Sequence, residues 1–303
     1  MSQSYLNYPI SRIPIDSGDY PEQLRKLSDP PKNLYYRGVW NNKLFEKTLA
    51  IVGSRRITGY GERVLDMIIP SLVAEKITII SGFMYGVDSL AHQKCLECGG
   101  KTIAVLGSGL NVLYPPENEK MYLEIVSSQG DALRTQGVPL KKGLVISEYP
   151  PDQQPQLWTF PQRNRIVAAL STLGVLVVEA SEKSGSLVTA KIAKKLKKPL
   201  FAIPGPITSS VSRGTNQLIK GGLAKMVLSV NDIIVSQVNK PVPASQGVAL
   251  EARIMNLLAA EPLTLDEIAL KLNKNIIETG QTLTMMSLKG IILESNGKYS
   301  PPG

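Results

Sequence analysis

The chain has 303 residues, 43% of them hydrophobic and 19% charged, which is enough apolar material for a packed core and enough length for about two domains. No run approaches the ~20 apolar residues that cross a bilayer, and the N-terminus lacks the basic start and apolar stretch of a secretory signal, so a cytoplasmic protein with no membrane partner is expected. Lys+Arg number 34 against 25 Asp+Glu, a net charge of +9 that points to a polyanionic partner, while one histidine (His92) and two cysteines (Cys95, Cys98) exclude histidine-based triads, histidine-rich metal sites and a disulfide framework.

Residues 1–46 read as a proline-punctuated lead-in, with a short helix over Pro21–Leu27 and an extended piece over Leu34–Arg37. A regular alternation then begins. Leu49–Val52, Ile77–Ile80, Thr102–Leu106, Leu144–Ser147, Gly174–Val178, Leu200–Ile203 and Ala224–Val227 are apolar runs of strand length. Between them, Glu62–Ala74, Val87–Cys98, Glu119–Ser127, Arg163–Leu170 and Ser186–Leu196 read as helices. Apolar strands separated by helices predict a doubly wound, mostly parallel α/β sheet covered on both faces. Ligands on such sheets sit at the C-terminal strand ends. Val235–Gly247 reads as a linker, the connecting segment proper being 239–247. Three helices then follow, Ala249–Ala260, Leu265–Leu272 and Ile276–Leu288, with a hairpin about Asn296–Gly297, which is the winged-helix pattern. The expected organisation is a lead-in over 1–46, a Rossmann-like domain over 47–238 and a small winged helix over 248–303.

Three loops at strand ends combine small residues with charge. VGSRR (Val52–Arg56) brings Ser54, Arg55 and Arg56, SGFMYGVD (Ser81–Asp88) brings Gly82, and EASEKSGSLVTA (Glu179–Ala190) brings Lys183, Gly185 and Ser186. Backbone N–H groups in such turns and at helix N-termini attract phosphate, and arginine adds a charged fork. The structural alternative is a surface turn for the first loop and plain capping by Ser184 or Ser186 for the third. WTFPQRNRIVAALS (Trp158–Ser171) joins Trp158 and Phe160 to Arg163, Asn164 and Arg165, a pattern that stacks bases and neutralises phosphates. Its alternative is aromatic core with helix salt bridges, which the poor core-formers Thr159, Pro161 and Gln162 oppose. His92, Cys95 and Cys98 share one helix and read as buried structural groups rather than metal ligands. No Rossmann G-x-G-x-x-G or Walker loop is present, so no nucleotide cofactor is expected.

These loops, with GGKTIAVLGSGLNVLYPPEN, ISEYPP and PGPITSSVSRGTNQLIKGG, stand in one order over about residues 20–235 and resemble the DNA-processing protein A (DprA/Smf) family. The resemblance implies an extended Rossmann-like fold that dimerises, binds single-stranded DNA, protects incoming strands and helps load the RecA recombinase in natural transformation (competence) and homologous recombination. It implies no catalytic activity, no metal and no cofactor. Two departures from the family are expected: the N-terminal helical domain that many members carry is not expected here, and QQPQLWT before Phe160 has no basic residue. Charge partition agrees with a site on the α/β part. Residues 249–303 hold five basic and six acidic residues, so the rest carries +10. The rival reading is a phosphoribohydrolase-like enzyme or nucleotide sensor on the same type of sheet, for which Glu179 is the one acid at a plausible strand end, although KSGSLVTAK lacks the PGGxGT loop of those enzymes.

Overall fold

A computed structural model describes residues 4–127, 143–238, 247–259, 261–272, 274–288, 290–295 and 297–301. The expected linker, 239–247, lies outside the described residues save for Gly247, and so does Asn296 of the hairpin turn. Two compact units form, Met1–Ser236 and Gln237–Gly303.

The first unit is built on β1 (Ser11–Pro14), α1 (Glu22–Arg25), β2 (Asn33–Gly38), β3 (Thr48–Val52), α2 (Gly59–Ala74), β4 (Thr78–Ser81), α3 (Val87–Glu97), β5 (Thr102–Val105), α4 (Glu119–Val126), β6 (Leu144–Ser147), α5 (Thr159–Leu170), β7 (Gly174–Val177), α6 (Gly185–Lys195), β8 (Leu200–Ala202), α7 (Arg213–Lys220), β9 (Lys225–Met226) and α8 (Asn231–Val238). Nine strands make one sheet in the order β1-β2-β6-β5-β4-β3-β7-β8-β9. It is parallel from β6 through β9, and β1 and β2 add antiparallel at one edge. The doubly wound, mostly parallel sheet read from the sequence is therefore present. The lead-in turns out to supply two of its strands.

Strands β3 to β8 are buried at every residue, because helices cover both faces. Alternate residues face opposite layers. Ala50, Val52, Val175 and Val177 pack with Ile166 and Leu170 of α5 and Ala190 of α6. Leu49, Ile51 and Leu176 pack with Leu65, Ile68 and Ile69 of α2 and Ala91 of α3. Beyond β5, Tyr122 and Ile125 of α4 close the second layer.

Three elements differ from the sequence reading for local reasons. Helix α5 starts at Thr159 rather than Arg163: Pro161 falls in its first turn, where a missing N–H costs nothing. Thr159 is buried rather than exposed, its hydroxyl donating to Gln156 O at 2.8 Å. Val235–Val238 continue α8 instead of joining the linker. Helix α7 was not anticipated, since RGTNQLIK offers only Leu218 and Ile219 to an apolar face.

The second unit has α9 (Gly247–Leu258), β10 (Leu263–Thr264), α10 (Leu265–Leu272), α11 (Ile276–Leu288), β11 (Leu293–Ser295) and β12 (Lys298–Ser300). Its three strands pair in the order β10-β12-β11 beside the helices, a winged helix with its own core of Ile254, Leu258, Ile268, Leu283, Met286 and Ile292. Met286 is buried in that core, while its neighbour Met285 is half exposed.

Among the described residues no three His, Cys, Asp or Glu side chains gather as metal ligands. Cys95 is buried, whereas Cys98 is exposed at the C-cap of α3, so the expectation of a buried thiol fails there. Glu179, just past β7, is 2% exposed. Its Oε2 accepts from Thr58 N at 3.0 Å and its Oε1 from Thr58 Oγ1 at 2.5 Å. Thr58 in turn caps α2. Glu179→Ala is expected to lower the unfolding free energy by about 1–3 kcal/mol, because buried donors lose a charged acceptor. Urea titration reads it.

Candidate nucleic-acid interface

Strand order reverses between β3 and β7, which lie side by side although α2, β4, α3, β5, α4, β6 and α5 separate them in sequence. A crevice opens there at the carboxyl ends of the strands. The loops after β3, β4 and β7 meet in it with the start of α5, lining a cavity of about 580 Å³.

Backbone contacts hold the loops. Ser54 Oγ accepts from Arg56 N at 3.0 Å and donates to Arg56 O, closing the first turn on itself. Ser54 O accepts from Val87 N at 3.1 Å, tying this loop to the next. Gly86 makes that approach possible: its φ is +73°, and a Cβ there would come within 2.6 Å of the Arg55 carbonyl carbon. In the third loop Ser184 caps α6, its Oγ accepting from Ser186 N at 3.3 Å. The capping alternative is thus correct for Ser184, and the loop still faces the cleft.

The floor holds two buried charged groups, Arg163 and Asp88. Arg163 is 3% exposed and donates from Nη1 to the carbonyls of Gly82 and Val105, with Nε 3.2 Å from Asn164 Oδ1. Burial lowers its pKa to about 10, and Asp88 opposes that shift. Asp88 is itself buried. Desolvation pushes its carboxyl up to about 6, with Arg163 the main opposing influence. One turn along α3, burial and then the Arg163 charge push His92 down to about 3, so it is neutral at pH 7. Its Nδ1 is 2.6 Å from Thr102 Oγ1, whose proton goes to Ile79 O. Gly82 leaves no room for a side chain here: a Cβ would lie 2.6 Å from both the Arg163 guanidinium and the Asp88 carboxylate.

Of the residues singled out in the sequence, Ser54, Arg55, Arg56, Gly82, Phe160, Arg163, Asn164, Gly185 and Ser186 line the cleft, while Trp158, Arg165 and Lys183 do not. Arg55 and Arg56 are exposed. Arg163 reaches the cleft from below, nearly buried, with the carbonyls of Gly82 and Val105 accepting from its guanidinium. Arg165 points elsewhere and forms a fork with Glu148 at 3.1 and 2.7 Å, which is the salt-bridge alternative. Trp158 stands edge-on to Tyr149, with centroids 5.9 Å apart. Lys183 is exposed beyond the lining. Sequence reasoning passed over Asp88, Tyr85, Tyr114 and Leu157, which all line the cleft. Asp88 and Tyr85 sat in the quoted SGFMYGVD, where glycine took the attention.

The model for DNA recombination-mediator protein A matches residues 11–238, and that for the DprA winged helix domain matches residues 238–298. The chain is 38% identical to DNA processing protein DprA of Streptococcus pneumoniae over 234 residues, 77% of this chain and 76% of that one. It is 41% identical to Protein Smf of Escherichia coli over 210 residues, 69% of this chain. It spans about half the length of that protein and of the Synechocystis Protein Smf, 52% of each. The crystal structure of the S. pneumoniae DprA superposes with a TM-score of 0.66 at 38% identity, covering 76% of this chain and 75% of that one. DNA processing protein A of Helicobacter pylori, whose structure addresses its single-stranded DNA binding mode, gives 0.64 at 31% identity, covering 78% and 98%.

The two shifted groups under the cleft make opposite contributions to stability. His92 falls from 6.5 to about 3, so its contribution is complete above pH 6.5 and is lost as pH falls below that. Asp88 rises from 3.8 to about 6, so its ionised form weakens the fold at neutral pH and protonation relieves this as pH falls through 6. Each contributes up to about 1.4 kcal/mol per pH unit. Relative to the wild type, His92→Gln is therefore expected to gain stability between pH 6.5 and 4.5, and Asp88→Asn to lose it. Urea midpoints across that range measure both.

Proposed function

The chain belongs to the DNA recombination-mediator protein A family, and on that premise we propose that it binds single-stranded DNA in the cleft at the β3/β7 switch point. One observation carries the reading. Three small-residue loops converge on one crevice, and its two exposed cations, Arg55 and Arg56, stand in no ion pair among the described residues. Backbone N–H groups and an arginine fork suit phosphate oxygens, and the aromatic rings beside them suit unpaired bases. The H. pylori relative, a single-stranded DNA binder, supports the same reading.

In this reading Ser54, Arg55, Arg56, Gly185 and Ser186 hold phosphates, and Phe160 and Asn164 face the strand. Arg163 and Gly82 set the floor, and Lys183 lies where it can extend the path. Trp158 and Arg165 are not assigned to the strand. The protein acts in DNA processing during recombination. More narrowly, it protects incoming single strands and assists RecA loading in natural transformation, as a homodimer in the cytoplasm. Among the described residues no helix is long and apolar enough to cross a membrane. The enzyme reading loses its candidate acid, since both oxygens of Glu179 accept from Thr58. No nucleotide turnover is expected.

Arg55→Ala is expected to weaken binding to single-stranded oligonucleotides by about 1.5–3 kcal/mol across sequences while the unfolding midpoint stays in place. Wild-type affinity should fall with salt by about 0.7 log units per log unit of salt for each phosphate neutralised. Anisotropy titrations read both, and an unchanged affinity in the variant removes the cleft as the site. The winged helix is a poor second candidate. Helix α11 reads IIETGQTLTMMSL, without Lys or Arg, and residues 249–303 carry one net negative charge. A chain ending at Val238 should keep most of the single-strand affinity. Tight binding by residues 247–303 alone would move the site to the other unit.

A further inference from the structure

The cleft has a second wall that phosphate contacts leave unused. Tyr85 from the loop after β4, Tyr114 from the loop after β5 and Phe160 from the first turn of α5 form a continuous aromatic run. The centroids of Tyr85 and Tyr114 are 6.5 Å apart at 77°, those of Tyr114 and Phe160 5.6 Å apart at 46°. All three line the cavity, and the two tyrosines are 38% and 36% exposed. Aromatic rings that only fill a core are covered on all sides. These present ring surface to the cleft.

They are also held in place. Tyr85 Oη donates to Glu117 Oε2 at 2.9 Å. The neighbouring Asn118 Nδ2 donates to Phe83 O at 3.1 Å and Ser89 Oγ at 3.0 Å, which pins that turn to the start of α3. Phe160 rests on Gly107, where a Cβ would come within 2.8 Å of its ring. Rings fixed before binding lose little freedom on contact. Of the exposed cations of the lining, Arg55 and Arg56 of the β3 loop, Arg55 lies over the Phe160 ring, 5.7 Å from its centroid, while at the tyrosine end Glu117 puts a carboxylate beside Tyr85. This end of the cleft therefore disfavours phosphate and suits a neutral π surface.

We propose that Tyr85 and Tyr114 form a stacking wall for the bases of a strand whose phosphates lie along Ser54–Arg56 and Ser184–Ser186. This rests on the single-stranded DNA reading of the cleft. The wall takes any base, since every base has a π face. It favours single strands, because duplex bases are already stacked on one another.

The test compares a fluorescent thymidine 12-mer with a 12-mer of equal phosphate number containing only abasic sites, at one salt concentration. The wild type is expected to prefer the thymidine strand by about tenfold or more per stacked base. Tyr85→Ala with Tyr114→Ala should close that gap while leaving the abasic affinity and its salt slope unchanged. Phenylalanine at both positions should preserve the gap. If the alanine pair fails to fold, leucine at both positions takes its place and should also close it. Equal wild-type affinity for the two strands overturns the stacking wall and leaves the phosphate site standing. A gap that survives loss of both rings in a folded variant overturns the assignment to Tyr85 and Tyr114. No affinity for either strand overturns the DNA reading itself.

Discussion

Arg163 carries a charge into a region with no water to solvate it, and the first unit is arranged so that this charge is satisfied. Its guanidinium bridges the carbonyls of Gly82, which begins the turn out of β4, and Val105, which ends β5, and the charge of Asp88 at the start of α3 acts on it. A buried ion left without its partner is strongly destabilising, so each group constrains the others. Gly82 has to be glycine because the guanidinium and carboxylate occupy the space of a Cβ. Helix α5 has to enter at one height over the sheet. That height sets Phe160, one turn before Arg163, and Asn164, one residue after it, against the cleft. The exposed part of the site is thus positioned by a pair that is itself buried.

The sheet was legible because burial on both faces leaves a simple trace. TLAIV, TIIS, LVIS and GVLV are runs in which nearly every residue is apolar or small, and helices of ordinary length separate them. The edges were harder. Strand β1, SRIP, is exposed at its first two residues and ends in proline, so neither alternation nor propensity marks it. The pairing of β2 with β6 joins residues more than a hundred positions apart and has no local signal. Most of the site was legible for a related reason: small residues beside charge at strand ends are costly anywhere except where backbone must approach a ligand. What the sequence hid was direction. FPQRNR contains two arginines on one helix, and a two-residue offset sends Arg163 into the floor and Arg165 to Glu148. Stepping two positions along a helix rotates a side chain by more than half a turn, and only the packing tells which side faces the cleft. The exposed rings were hidden too, because Tyr85 and Tyr114 become neighbours only when two loops meet.

Besides Glu117 at the tyrosine end, Glu179 and Asp88 lie near the basic cleft, and the fold reduces the effect of these two on its attraction for anions. Glu179 gives both oxygens to Thr58, the residue that caps α2. A negative charge at a helix N-terminus is balanced in part by the macrodipole. Asp88 is opposed by Arg163 and is pushed by burial toward its neutral form. The exposed lining then presents Arg55 and Arg56 with little to offset them. The +10 carried outside residues 249–303 is distributed over a large surface, but at this crevice it stands beside backbone N–H groups and low-dielectric walls. Such a setting concentrates the field of a few charges.

The chemistry of the two walls also bounds what a strand seated there could reveal of its sequence. Phosphate contacts carry no base information, and stacking distinguishes bases only weakly. Reading a base requires donors or acceptors aimed at its edge. On the aromatic wall the Tyr85 hydroxyl donates to Glu117, and behind it the Asn118 amide is spent on Phe83 and Ser89. The polar group at the foot of α5, Asn164, has its Oδ1 turned to Arg163. A cleft that holds a ring with its own hydrogen bond has used for internal order one of the groups that could have read sequence. On the proposed reading, weak discrimination between bases and fixed geometry are two results of one arrangement.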